Sequence, residues 1–279
     1  MRPEELTVAS IQLSSQDAVD QNLDAAFGLV RRATARGAQL VVLPENFAFM
    51  GPEHDKRAIA EAVQATATDA DGPIVSTLRN MARDTGAHVI AGGMPEQSGD
   101  PERPYNTSVV VDPSGRVVAT YRKIHLFDVE VGDGHVYRES ASTSAGDRAV
   151  VADVRGAGIG LTVCYDLRFP ELFRRLSDRG AVVATVPAAF TLMTGKDHWH
   201  VLLRARAIES QMFVVAAAQC GNHPRGRQTY GKSCIIDPWG DVVAQASDGP
   251  GFVVCTLDLG RVDAVRRTLP SLQHRRPIG

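Results

Sequence analysis

Apolar residues along this chain fall into short β-branched runs separated by stretches with helical spacing. LTVASIQL (6–13) alternates apolar and polar side chains as a half-buried strand does. An amphipathic helix is predicted near 17–36, and QLVVLPE (39–45) reads as the next strand. Helical character near 56–66 and 73–85 precedes a strand at HVIAGGM (88–94), and SVVVDPSGRVVATYRK (108–123) reads as a hairpin turning through Asp-Pro-x-Gly. IGLTVCYD (159–166) is followed by a helix opening at Pro170, the strand AVVATVPAAF (181–190), the helix DHWHVLLRARAIESQ (197–211) and FVVAAAQC (213–220). A second hairpin, KSCIIDPWGDVVAQA (232–246), leads to FVVCTLDL (252–259) and a last helix over 260–268. The strand-Asp-Pro-x-Gly-strand design thus occurs twice, at 108–120 and 233–246.

Strands joined by helices mixed with strands joined by hairpins imply a layered α/β fold with a mixed sheet region, not a purely parallel doubly wound one. GxGxxG does not occur, and the one match to GxxxxGK[ST], GRQTYGKS (226–233), runs into a predicted hairpin strand where a P-loop needs a helix, so dinucleotide and P-loop readings are set aside. At 279 residues and 44% hydrophobic, the chain can bury a large core, and one domain over 1–279 is preferred to two small ones.

Thirty Lys+Arg against 32 Asp+Glu give a net charge of −2, so no basic field invites nucleic acid or anionic lipid. A small polar or anionic metabolite is the better expectation. The start MRPEELTVASIQL has acidic residues where a signal peptide carries basic ones, and no apolar run approaches a membrane span. The four cysteines are too sparse for a disulfide framework or a CxxC metal site. A reducing cytoplasm is the expected setting.

Candidate chemistry lies at strand ends, where α/β folds expose side chains to a crevice. Glu45 follows Pro44 at the close of a Val/Leu-rich strand, Lys123 follows a hairpin strand, and Cys164 ends an apolar strand six positions before Pro170. Singly, each has a plain structural reading: a solvated strand end, a surface charge, a small core residue. At a strand-to-helix junction, however, helix amides and nearby cations can stabilise a thiolate. Together, thiol, base and cation are the parts needed to transfer an acyl group from nitrogen to sulfur and then to water.

LPEN around Glu45, YRKIHLFD around Lys123 and CYDLRFPE around Cys164 resemble, in order, the three motifs of the nitrilase-like carbon–nitrogen hydrolases. The resemblance covers essentially the whole chain. It implies an αββα sandwich, two mixed sheets between helices, stacked with a second copy as a homodimer. It also implies a second glutamate between the Lys and the Cys, which VYRES supplies as Glu139; Glu130 is the competitor, ranked below it. In the implied reaction Glu45 shuttles the proton of Cys164, Lys123 and the Tyr165 backbone N–H hold the developing oxyanion, and Glu139 orients Lys123. No metal or other cofactor is called for.

His198 and His200 stand two apart on a helix and so point in different directions, which argues against a shared metal. That helix reads as a partly buried wall with Trp199, Leu202, Leu203, Ala205 and Ile208 packing, and Arg204 and Arg206 ion-paired. His125 reads as a structural neighbour of Lys123, and Cys220, Cys234 and Cys255 as core. The polar insertion NHPRGRQTY (222–230) is expected to be a loop, a candidate cover for the site.

Arg168, four positions after Cys164, can clamp a substrate carboxylate or pair with Glu171 or Asp166; both readings stand. Phe190 and Thr191 are expected to line the same pocket. HWHVLLRARAIESQ, VVAAAQCG, YGKSCIIDPWG and LPSLQHRRP resemble the subgroup of that family that hydrolyses deaminated glutathione, releasing 2-oxoglutarate and cysteinylglycine. The alternatives are an omega-amidase acting on 2-oxoglutaramate, another aliphatic amidase or nitrilase, and a catalytically idle binding protein.

Overall fold

In a computed structural model, which describes residues 3–67, 71–132 and 136–276, the predicted alternation becomes a sandwich built twice over. The first half contains β1 (Glu5–Leu13), α1 (Val19–Thr34), β2 (Leu40–Val42), α2 (Pro73–Thr85), β3 (His88–Glu96), β4 (Tyr105–Val111) and β5 (Val117–Arg122). A small ribbon follows, β6 (Asp128–Glu130) with β7 (Val136–Arg138). The second half contains β8 (Val151–Val154), β9 (Ala157–Leu161), α3 (Pro170–Asp178), β10 (Val183–Ala188), α4 (Leu192–Ser210) and β11 (Phe213–Asn222). It continues with β12 (Gln228–Tyr230), β13 (Cys234–Ile236), β14 (Val242–Gln245), β15 (Gly251–Asp258) and α5 (Gly260–Thr268).

One sheet runs β15-β1-β2-β3-β4-β5 and the other β14-β13-β11-β10-β9-β8. They join where the ends of β1 and β11 meet, at Gln12 with Ala218 and Leu13 with Gln219. In each sheet three parallel strands linked by helices are followed by an antiparallel hairpin, so β1, β2, β3 and the β4–β5 hairpin correspond to β9, β10, β11 and the β13–β14 hairpin. The two Asp-Pro-x-Gly turns are the matching hairpin tips. Asp112 Oδ1 accepts the N–H groups of Ser114 and Arg116 at 2.9 and 3.0 Å, and Asp237 Oδ1 accepts those of Trp239 and Asp241, both at 2.9 Å.

The layering follows from strand alternation. Ala9, Ile11, Val41, Leu43 and Val89 face α1 and α2, packing on Leu23, Ala26, Val30, Ile74, Leu78 and Met81. Their neighbours Leu6, Val8, Leu40, Val42 and Ile90 face the other way, into the core shared with the second sheet. That sheet is covered outside by α3 and α4 through Leu172, Phe173, Leu176, Trp199 and Leu203. The result is the expected αββα order. No helix among the described residues is long and apolar enough to cross a membrane.

Some expectations change. The helix near 56–66 is instead a 3₁₀ turn over Glu53–Ile59, after which the chain extends and Glu61 bridges to Glu96. The reason is the start of α2, whose Gly72 N-cap offers no side chain: the buried Glu61 carboxylate accepts the Ile74 and Val75 N–H groups at 2.8 Å each. The 222–230 segment is an ordered hairpin, since β12 pairs back on β11, rather than an open loop. On α4, Ile208 is exposed while Arg206 and Ala207 are buried. Arg206 is ion-paired with Glu209 at 2.8 Å, but Arg204 donates to the Gly240 carbonyl at 2.7 Å because the β13–β14 turn lies against the helix there. Cys220 and Cys234 are core, whereas Cys255 on β15 is half-buried.

Candidate active site

Glu45 leaves β2 through Pro44 and is buried beneath the β3 edge. A β-bulge between Ala91 and Met94 makes room for it. At Gly92 a side chain would sit 2.1 Å from the Leu43 carbonyl, and at Gly93, 2.6 Å from Asn106 Oδ1, so the two glycines let three strands converge on one carboxylate. Glu45 Oε1 accepts from Lys123 Nζ at 2.9 Å and Asn106 Nδ2 at 3.0 Å. Its Oε2 accepts the Ala189 N–H at 3.2 Å, and Cys164 lines the same cavity floor.

Lys123, at the end of β5, is 2% exposed, not the surface charge it resembles in isolation. Its ammonium lies between Glu45 and Glu139, whose Oε2 and Oε1 stand 2.8 and 3.0 Å away. Glu139 opens a short 3₁₀ turn and also accepts the Phe127 N–H at 2.7 Å. Glu130 is exposed on the small ribbon, away from this cluster. Asn106 escaped the sequence reading: its amide bridges Glu45 and Glu139, at 3.0 and 3.2 Å. The available signal was slight, a lone Asn opening an apolar strand upstream of Lys123.

Cys164 follows β9 by three residues and begins a 3₁₀ turn with φ of 49°. A non-glycine residue there is strained by about 1–3 kcal/mol, which the surroundings must offset. Asp166 supplies the restraint: its oxygens accept from Val163 N at 2.9 Å, Tyr121 Oη at 2.7 Å and His125 N at 3.1 Å. His125 Nδ1 lies 2.7 Å from Asp166 Oδ1, and its ring stacks on Phe169 at 3.6 Å, which fits the structural role expected of it.

The electrostatics favour a neutral thiol at rest. Burial pushes the Glu45 carboxyl up, but the Lys123 ammonium and hydrogen bonds from Cys164 and Lys123 bring it down to about 2. Burial and the Glu45 charge push the Cys164 thiol well above its usual range, against the opposing pull of Lys123. Burial works against the Lys123 charge, yet Glu139 and Glu45 hold the ammonium firmly protonated. This corrects the expectation of a stabilised thiolate. Two carboxylates and one ammonium already leave the cluster at −1, and a thiolate would add a second buried negative charge. Moving the thiol proton onto Glu45 as sulfur attacks keeps the charge constant, so the arrangement is fitted to base-assisted attack.

Removing the cation should also expose the cost of burying these acids. Lys123→Met is expected to destabilise the fold by about 3–5 kcal/mol, because both carboxylates lose their shared partner. Urea unfolding at pH 7 checks this; a loss below about 1 kcal/mol contradicts a buried ion-pair role.

The cluster forms the floor of a cavity of about 380 Å³ whose walls include Tyr165, Arg168, Phe190, Thr191 and Arg227. Arg168 pairs with neither Glu171 nor Asp166. Its guanidinium lies 5.8 Å from the Tyr165 ring and 5.3 Å from the Phe190 ring, with Nη1 3.3 Å from His198 Nδ1. His200 instead meets Gln245, at 2.7 Å, so the two histidines do diverge. Phe190 packs on Trp199 at 5.0 Å. The Thr191 hydroxyl caps α4 by accepting the Thr194 N–H at 3.2 Å and is committed to that role.

The family model for carbon-nitrogen hydrolases matches residues 7–267. A Synechocystis protein named deaminated glutathione amidase is 46% identical over 270 residues, 96% of this chain and 97% of its own. The Caenorhabditis elegans NitFhit structure superposes with a TM-score of 0.90 at 38% identity, covering 99% of this chain and 66% of that one. An amidase structure from Nesterenkonia sp. AN1, carrying acrylamide added at its active-site cysteine, superposes with a TM-score of 0.78 at 30% identity, over 95% of this chain and 98% of that one. The fold, the buried acid-ammonium-thiol cluster and these likenesses together place this chain in the carbon-nitrogen hydrolase family, as a hydrolase acting on non-peptide C–N bonds.

Proposed function

We propose that this chain, as one domain over 1–279, cleaves the amide of deaminated glutathione through a thioester on Cys164. The carrying observation is the Glu45 carboxylate, held by Lys123 at 2.9 Å and lining the same cavity floor as Cys164. As Cys164 sulfur attacks the amide carbon, Glu45 takes its proton. Glu45 then gives that proton to the nitrogen as the C–N bond breaks, releasing cysteinylglycine and leaving the acyl group on sulfur. Water attacks the thioester, its proton passes to Glu45, the C–S bond breaks, and the thiolate recovers the proton; 2-oxoglutarate leaves. Lys123 and the Tyr165 N–H are the donors for the oxyanion of both additions.

Glu139 and Asn106 position Lys123 and Glu45. Arg168 takes the carboxylate of the 2-oxo acid end, and Phe190 and Thr191 shape the wall. Every step is a proton transfer, an attack or an oxyanion contact, so the reading calls for no metal or cofactor. It is supported by the 46% identity to the Synechocystis deaminated glutathione amidase and, for the nucleophile, by the modified cysteine of the Nesterenkonia amidase.

Incubation with deaminated glutathione, 2-oxoglutaramate and a simple nitrile tests the reading. The highest kcat/KM is expected on deaminated glutathione. A preference for 2-oxoglutaramate makes the chain an omega-amidase, nitrile turnover makes it a nitrilase, and no turnover favours a binding protein.

A homodimer in the cytoplasm completes the proposal. It is supported by Val201 and Ile208, seven residues apart on one side of α4 and both exposed, and by four unpaired cysteines. Sedimentation should give twice 30.0 kDa, and a single-chain mass would refute the dimer.

A further inference from the structure

The cavity carries charge that the proposed proton transfers leave unused. Beyond Lys123, its walls hold Lys56, Arg138, Arg168 and Arg227, with Glu53 as the one further acid among the described residues. Four cations against one acid give the mouth +3, although the whole chain is −2.

Arg168 and Arg227 sit at opposite ends of a run of three aromatic rings. Arg227 lies 5.6 Å from the Tyr137 ring; Phe127 is 5.0 Å from Tyr137 and 5.0 Å from Tyr165; Arg168 lies 5.8 Å from Tyr165. Arg168 meets Tyr165, Phe190 and His198 while Arg227 meets Tyr137 and Glu53, so the cavity has two separate cationic poles.

The Arg227 side chain is 18% exposed, and its Nε is buried without a hydrogen-bond partner among the described residues. Its contact with Glu53 is 3.3 Å, while Lys56 holds that acid at 2.6 Å. A buried N–H without an acceptor is costly, and a planar fork of donors matches an incoming carboxylate. This pole stands on the Glu45 side, since Arg227 meets Glu53, Glu53 meets Lys56, and Lys56 lines the wall together with Asn46, the neighbour of Glu45. Glu45 is the group that protonates the leaving nitrogen, so the leaving amine extends toward Arg227.

We infer that Arg227 binds the terminal carboxylate of a dipeptide-like leaving amine, which deepens and rests on the deaminated glutathione reading. Arg168 serves the acyl end and Arg227 the amine end. A substrate that releases only ammonia has nothing to offer Arg227.

The test compares wild type and Arg227→Gln on deaminated glutathione, on the same compound with its terminal carboxylate amidated, and on 2-oxoglutaramate. Wild type should prefer the free carboxylate over the amidated form by about ten- to hundredfold in kcat/KM, mainly through KM. In Arg227→Gln that preference should fall to within about threefold, and the ratio of peptide substrate to 2-oxoglutaramate should drop at least about tenfold. Arg227→Lys should recover part of it. A folding defect lowers all substrates together and leaves the ratios intact. Retention of the carboxylate preference in Arg227→Gln, or its loss in Arg138→Gln instead, overturns the assignment alone. Wild type that fails to cleave the peptide substrate overturns the functional reading as well.

Discussion

Cys164→Ala is expected to lower kcat on the amide substrate by about 10⁴-fold or more, because both half-reactions pass through a bond to sulfur. Wild type quenched during turnover should show an acyl adduct by intact mass, and the variant none. Cys164 sits on a strained turn, so the variant must also be shown to be folded. The Asp166 contacts to Val163, Tyr121 and His125 do not involve the cysteine side chain and should preserve the turn. Unfolding near the wild-type temperature together with lost turnover supports a nucleophile. Turnover within about tenfold of wild type, with no adduct in either protein, would sink the thioester mechanism.

Glu45→Gln is the second large effect, an expected loss of about 10²–10⁴-fold. One carboxylate serves the attack on the amide, the departure of the amine and the attack of water, and a glutamine accepts no proton at any of them. A second signature lies in stability. The folded Glu45 carboxyl is held at about 2 against an ordinary 4.5, so its charge stabilises the fold above about pH 4.5 and that contribution disappears as pH falls through 4.5 toward 2. The difference in unfolding free energy between wild type and Glu45→Gln should therefore be nearly constant from pH 7 to 5 and shift against wild type from pH 5 to 3. A difference that does not vary with pH contradicts the buried ion pair with Lys123.

These predictions rest on contacts that the chain order displays unevenly. Glu45, Lys123 and Cys164 were visible because each closes an apolar strand within a motif, and strand ends in α/β folds converge on one crevice. Asn106 was hidden because its task depends on reaching two carboxylates from other segments at 3.0 and 3.2 Å. Arg227 was hidden in a polar stretch until β12 folded back on β11 and brought it to the cavity wall.

The sequence by itself determined the periodicities and turn chemistry, and so a layered α/β fold with a mixed sheet region, the repeated hairpin and the residues able to do the chemistry. All of these are local properties of neighbouring residues. The tertiary structure alone decided the protonation pattern, because a thiol's preference depends on the summed charge and burial around it. It also decided which of two loop glutamates meets Lys123, what Arg168 packs against, and where a second guanidinium faces the cavity, since each of these is a distance between segments far apart along the chain.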